Sequence, residues 1–179
     1  MLDKACGAAN AARRFVMMAG AGFDAHAVLG VNLGRKRFLG KMEYVLSGLR
    51  SWLSYSFPPI QVQWDESGES TTGYTIIVSN IRYYAGRFPI APDGDIRQPY
   101  FNVCVFQGNR RWDIIRYLCA ARWGRHIKLP DVIYRRAHAV TLNAAAGAVP
   151  LQLDGDYACH LPVKIWLEPA ALDLCMPGK

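Results

Sequence analysis

The stretch Val149-Pro-Leu-Gln-Leu-Asp-Gly-Asp-Tyr157 alternates Leu151 and Leu153 along a strand and then runs straight into an acidic turn. Gly155 lets the backbone take a positive φ there, and Asp154 and Asp156 flank it on a short arc. Two carboxylates so placed can hold Mg²⁺ through oxygen ligands, or one can accept a proton while the other binds the ion. Asp-Gly is equally the commonest signal of a plain hairpin turn. On either reading the segment is a strand closed by a tight turn.

Outward from this turn the chain reads mostly as short strands. Arg13 to Ala19 reads as a buried strand leading into a Gly20-Ala-Gly22 turn. Ile60 to Trp64 and Thr72 to Ser79 are strand-like runs, and the polar, Gly-containing segment Asp65 to Ser70 between them suits a hairpin. Tyr100 to Gln107, Val132 to Leu142, Leu151 to Leu153, Tyr157 to Cys159 and Pro162 to Leu167 complete the set. Ile81 to Gln98 is a long, proline-bearing loop, and such loops in compact domains are usually functional or disordered.

Two segments break the strand pattern. From Arg37 to Tyr55, apolar residues Phe38, Met42, Val45, Leu49 and Trp52 recur at three- and four-residue steps, the signature of an amphipathic helix ended by Pro58 and Pro59. Asn109 to Gly124 is a second, with Trp112, Ile115, Cys119 and Trp123 on one side, Asn109 as a candidate cap and Gly124 as a stop. The five tryptophans are read as core or pocket wall. Many short strands with two amphipathic helices predict a mainly β (α+β) fold, an antiparallel β-sandwich, with residues 1–179 forming a single domain.

Composition narrows the function classes. The chain has 179 residues, 51% of them hydrophobic, and its mean hydropathy is near zero. Charged residues interrupt each long apolar stretch, which argues against a transmembrane helix. The first residues lack the continuous apolar centre of a secretory signal. Cys6, Cys104, Cys119, Cys159 and Cys175 are odd in number and unpaired in spacing, so free thiols in a reducing cytoplasm are expected. His26, His126, His138 and His160 are scattered and suggest no metal site.

A net charge of +7 suits nucleic acid, an anionic membrane surface or phosphorylated ligands. The cations gather in Gly34 to Lys41 and in Arg110 to Arg136. Neither run has the aromatic interleaving or the zinc and helix-turn-helix signatures of a nucleic-acid binder, so no nucleic-acid partner is expected.

Six motifs occur in a telling order: Gly20-Ala-Gly-Phe-Asp-Ala25, Gly40-Lys-Met-Glu-Tyr-Val-Leu-Ser-Gly-Leu49, Ile77-Val-Ser-Asn80, Tyr84-Ala-Gly86, Ile90-Ala-Pro-Asp93 and Asp154-Gly-Asp156. From about Phe15 to Leu172 the chain resembles the carboxy-terminal half of the diacylglycerol kinase, sphingosine kinase and bacterial lipid kinase family. That family's Gly-Gly-Asp-Gly phosphate loop is missing from this chain, as is any other Gly-rich cradle at a helix amino terminus. The resemblance therefore implies the lipid-accepting domain of a two-domain, ATP-dependent, Mg²⁺-using kinase, inactive without its amino-terminal nucleotide-binding domain. A non-catalytic lipid- or partner-binding module derived from that family is the rival.

The resemblance also carries roles. It makes Asp154 and Asp156 catalytic candidates, places Asp24 near the polar head of the lipid, and puts Asp93 and Asp95 beside a Mg²⁺ site. It implies a lipid partner held in an apolar slot of the sandwich, an anionic membrane surface, and a cytoplasmic, peripheral location; a homodimer stays open. The departures matter. Arg97, Gln98 and Pro99 stand where relatives often have Asp-Asp-Gly, and Asn102 replaces a later acid, which works against a metal. Arg87 stands where a second Gly often follows Ala-Gly. Asp156 replaces the usual Glu of that turn and shortens its reach by about 1.5 Å.

Overall fold

Ile60–Trp64 alternates buried and exposed residues, while Phe101–Phe106 is buried throughout. The first pattern belongs to a sheet with one wet face, the second to a sheet covered on both. The computed structural model, which describes residues 12–30, 52–171 and 173, has one sheet of each kind. The strands are β1 (Met18–Gly22), β2 (Ile60–Trp64), β3 (Ser70–Gly73), β4 (Thr75–Ser79), β5 (Phe101–Phe106), β6 (Val132–Ala137), β7 (Ala139–Ala144), β8 (Pro150–Leu153), β9 (Asp156–His160) and β10 (Val163–Trp166). A six-stranded sheet runs β6-β5-β4-β1-β8-β9, and a four-stranded sheet runs β10-β7-β2-β3. Every pairing is antiparallel. The mainly β, sandwich-type architecture is as the sequence predicts.

The core between the sheets takes Ala19, Ala21, Ile76, Val78, Val103, Val105 and Leu151 from the larger sheet. Ile60, Val62, Trp64, Val140, Leu142, Val163 and Ile165 come from the smaller one. A second cluster covers the other face of the six-stranded sheet, where Ile77, Cys104 and Phe106 meet Ile114, Tyr117 and Ala121. Those last three residues lie on α2 (Arg111–Ala121). A short helix, α1 (Phe23–Leu29), sits on the same sheet.

Several boundaries differ from the sequence reading. Thr72 to Ser79 is two strands, because the chain leaves the smaller sheet at Gly73 and enters the larger one at Thr75. A Cβ on Gly73 would lie 2.5 Å from Val105 Cγ1, so only glycine fits the crossing. Val132 to Leu142 likewise divides at His138, whose backbone N–H donates to Glu66 Oε1 at 2.8 Å. The first strand runs through Gly20 and Gly22 rather than stopping before them, and α1 follows it directly.

The helix expected over residues 37–55 lies mostly outside the described residues. The second helix is present but turned: Trp112 and Trp123 are 71% and 73% exposed, whereas Ile114, Tyr117 and Ala121 are buried. Gly124, at φ +64°, ends it as expected. Cys104 and Cys119 are free thiols, but Cys159 is disulfide-bonded, which corrects the expectation for that cysteine. Among the described residues no helix is long and apolar enough to cross a membrane.

Candidate functional site

Gly22 breaks β1 at φ +90°, and α1 folds back so that Asp24 lies over the middle of the strand it has just left. The missing side chain of Gly20 makes the room. A Cβ there would lie 1.8 Å from Asp24 Oδ2 and 2.8 Å from Gln152 Nε2. Gln152 is the register partner of Gly20 on β8, so its side chain rises beside the same gap. Its Nε2 donates to Asp24 Oδ2 at 2.8 Å, and its Oε1 accepts from the Gly155 N–H at 2.7 Å. The Tyr84 hydroxyl donates to Asp24 Oδ1 in a short hydrogen bond.

Asp24 is thus a buried carboxylate with two donors on it. Burial raises its pKa above the ordinary 3.8, and the hydrogen bonds from Tyr84 and Gln152 oppose that rise without cancelling it. The adjacent Asp24 charge pushes the Tyr84 hydroxyl well above its usual range, and burial adds to this. The phenol therefore stays a donor.

The Asp154-Gly155 turn is a two-residue hairpin between β8 and β9, with φ +49° and +95°. Asp154 Oδ2 accepts from the Val16 N–H at 2.7 Å, and Oδ1 accepts from Met17 and Met18 at 2.8 Å each. Three backbone amides occupy this carboxylate and pin the entry of β1 to the turn. Asn80 reinforces the junction: its Nδ2 donates to Val16 O at 2.9 Å and its backbone N–H to Met17 O at 2.9 Å. Asp156 begins β9 with its side chain exposed. Asp24 and Asp154 do not touch, but the one carboxamide of Gln152 ties Asp24 to the turn that holds Asp154.

A cleft of about 310 Å³ opens beside Asp24 on the outer face of the six-stranded sheet. Its floor is Thr75, Ile77 and Phe106; α1 contributes Phe23, Asp24 and Val28, α2 contributes Ile114, Leu118 and Ala121, and the 84–90 loop contributes Tyr84 and Phe88. This cleft lies outside the two-sheet core, between helices and loop. Thr75 Oγ1 is buried in the cleft floor with no hydrogen-bond partner. A buried hydroxyl without a partner costs about 1–3 kcal/mol, which a polar ligand atom would recover. The long loop is ordered here by mutual backbone hydrogen bonds between Tyr84 and Phe88, closing a turn through Ala85 and Gly86 at positive φ.

Asp93 and Asp95 are not among the residues that line this cleft. The Arg97 guanidinium grips both oxygens of Asp95, at 2.9 and 2.6 Å, and holds its pKa down to about 2. Arg136 approaches Asp93 at 3.5 Å. Asn102, at the position of the later acid, is buried with its Oδ1 unpartnered. Cations of the chain itself already neutralise both carboxylates, and no cluster of three acidic, Cys or His residues occurs among the described residues. This loop does not fit Mg²⁺.

Sequence reasoning named Asp24 and Asp154 but gave no role to Tyr84, Gln152 or Thr75. Tyr84 stood inside a quoted motif. Gln152 left a fainter trace, a polar residue between two leucines in a strand buried along its whole length.

Residues 17–176 match the model of a family described as YegS C-terminal NAD kinase beta sandwich-like domain. A diacylglycerol kinase of Mycobacterium tuberculosis (strain ATCC 25618 / H37Rv) is 27% identical over 165 residues, covering 91% of this chain and 52% of the relative. A diacylglycerol kinase of Bacillus subtilis (strain 168) is 27% identical over 150 residues, covering 83% of this chain and 48% of the relative. The chain spans about half the length of the curated relatives it matches. Among solved structures, a diacylglycerol kinase from Bacillus anthracis str. Sterne superposes with a TM-score of 0.58 at 18% identity, over 85% of this chain and 48% of that one. That likeness bears on the fold alone.

Proposed function

Because this chain belongs to the family of YegS C-terminal, NAD kinase beta sandwich-like domains, we propose that it is the lipid-accepting domain of a two-domain, ATP-dependent kinase acting on a lipid hydroxyl. The observation that carries this reading is the cleft: an apolar slot with a single buried carboxylate, Asp24, in its wall. Acyl or sphingoid chains lie against Ile77, Phe106 and α2, where burial repays about 0.8 kcal/mol per methylene. Asp24 accepts a hydrogen bond from the polar head, and the Thr75 hydroxyl finds its missing partner on an ester or hydroxyl oxygen. Diacylglycerol is the first substrate to test, since it is named in the relatives; a sphingoid base is the second.

The reaction divides between domains. The lipid hydroxyl oxygen bonds to the γ-phosphorus of ATP as the bond to the departing ADP breaks. ATP and its Mg²⁺ would be held by the nucleotide-binding domain, where the ion would offset charge on the transferring phosphoryl group. This chain contributes position and a proton acceptor. Asp154, with three amides on its carboxylate, fixes the turn, and exposed Asp156 takes the hydroxyl proton as the new bond forms. Without a nucleotide-binding domain the chain transfers no phosphate.

Joining the chain to that domain and assaying phosphate transfer to diacylglycerol, sphingoid bases and phosphatidylglycerol tests the proposal. Turnover on one lipid supports it, and a folded, ATP-binding enzyme inactive on all three removes it. A second reading, a lipid-binding module without catalysis, draws support from Arg97 in the acidic loop. Asp156→Asn separates the two. A fall of about 10²-fold or more in kcat at unchanged stability is expected for a proton acceptor; an undiminished rate rules that role out.

A further inference from the structure

Helix α2 has two apolar sides. Ile114, Tyr117 and Ala121 face the sheet and are buried, while Trp112, Ile115, Leu118 and Trp123 face outward and are exposed. Trp123 is 73% exposed, and Leu118 both lines the cleft and reaches solvent at 45%. The outward band is therefore continuous with the mouth of the apolar cleft. Water-exposed tryptophans in such a contiguous patch mark an interaction surface. Indole suits a boundary where one end is apolar and the other wet.

The charges around this band identify the partner. Arg110, Arg111, Arg122, Arg125 and Lys128 are exposed at and beside α2, and none of them forms an ion pair among the described residues. Arg116 alone is neutralised locally, by Asp113 and Asp131. Unpaired cations framing an apolar stripe fit a surface whose interior is hydrocarbon and whose boundary is anionic, which is a bilayer containing acidic phospholipid. A protein partner would have to supply matching acids and an apolar groove together, whereas a bilayer presents both everywhere.

We infer that the outward face of α2, centred on Trp112 and Trp123 and framed by Arg111 and Arg122, is the surface on which this protein rests on an anionic membrane. Docked there, the cleft mouth at Leu118 opens at the depth of the acyl chains, and a lipid enters without crossing water. The inference adds an entry route to the proposed lipid-accepting role, and its first test does not depend on that role.

The test is cosedimentation of this chain with vesicles of phosphatidylcholine alone or mixed with phosphatidylglycerol, following tryptophan emission. The chain is expected to bind the mixed vesicles with a blue shift, and to dissociate as salt rises. Arg111→Gln/Arg122→Gln should weaken binding to mixed vesicles by about thirtyfold. Trp112→Ala/Trp123→Ala should lose the blue shift and weaken binding at least about tenfold, while urea unfolding certifies both variants as folded. The inference is overturned if the chain stays in the supernatant with anionic vesicles, if both variants bind as the parent does, or if the tryptophans instead hold two copies together in sedimentation velocity runs. In the joined kinase, the tryptophan variant should keep its rate on a monomeric short-chain diacylglycerol and lose it on vesicles. Absence of activity on both, with vesicle binding intact in the parent, would sink the kinase reading and leave the docking surface standing.

Discussion

Asp24 owes its place to a residue with no side chain. Gly20→Ala would put a carbon 1.8 Å from Asp24 Oδ2, and relief requires either the carboxylate or α1 to move. The expected cost is about 1–3 kcal/mol in urea unfolding. Adding Asp24→Ala to Gly20→Ala should cost less than the two single changes summed, by at least about 0.5 kcal/mol, because the clash is gone; strict additivity would show that the two residues do not meet. A second expectation concerns pH. The native pKa of Asp24 lies above its unfolded 3.8, so the folded state holds the proton more tightly. Its contribution to stability is fully present below about pH 3.8 and is lost as pH rises through the native value. The stability of the parent relative to Asp24→Asn should therefore fall as pH rises above about 3.8, measured by urea unfolding at each pH. A constant difference would place that carboxyl in water. The sequence offered Asp24 because a short acidic motif announces itself locally. Tyr84 and Gln152 are 60 and 128 residues away along the chain, and no local pattern encodes a meeting at that distance.

At the scale of elements, the strands were legible because alternation and Gly or Asp turns are local signals. The β8–β9 hairpin follows from Asp154-Gly155 almost unaided. The orientation of α2 was not legible. Trp112, Ile115, Cys119 and Trp123 form a periodic apolar stripe, and so do Ile114, Tyr117 and Ala121; periodicity ranks neither above the other. Packing chose the second, whose smaller side chains fit against Ile77 and Phe106. The loop over residues 91–102 makes the opposite point, since Arg97 in place of an acid argued against a metal from the sequence, and the guanidinium sits on Asp95. The consequence is measurable. The thermal midpoint of the chain should agree within about 1 °C between excess Mg²⁺ and EDTA, since a ligand that does not bind the native state does not shift it. A rise of several degrees with Mg²⁺ would reveal a native-state site that the arginines fail to exclude.

For the molecule as a whole, the sequence predicted the sandwich and an apolar slot but not the layer in which a cleft opens. The reason lies in β4 and β5, which are buried on both faces. An unbroken apolar strand says that something covers each side of its sheet without saying what. On one side the cover is the four-stranded sheet, packed over the core of Ile76, Val78, Val103 and Val105. On the other it is two helices and a loop, which meet less closely and leave about 310 Å³. A domain built so can admit a lipid without parting its core, and the two faces can be altered separately. Val28→Trp, at a half-buried position of α1 that lines the cleft, should fill the outer cleft and leave the core between the sheets untouched. Unfolding free energy should then change by less than about 1 kcal/mol. In the joined kinase, kcat/KM for a long-chain diacylglycerol should drop at least about tenfold, and for a very short-chain one by much less. Equal losses on both lipids would mean that the indole disturbs the chemistry rather than the slot. No loss on either would mean that the acyl chains lie elsewhere.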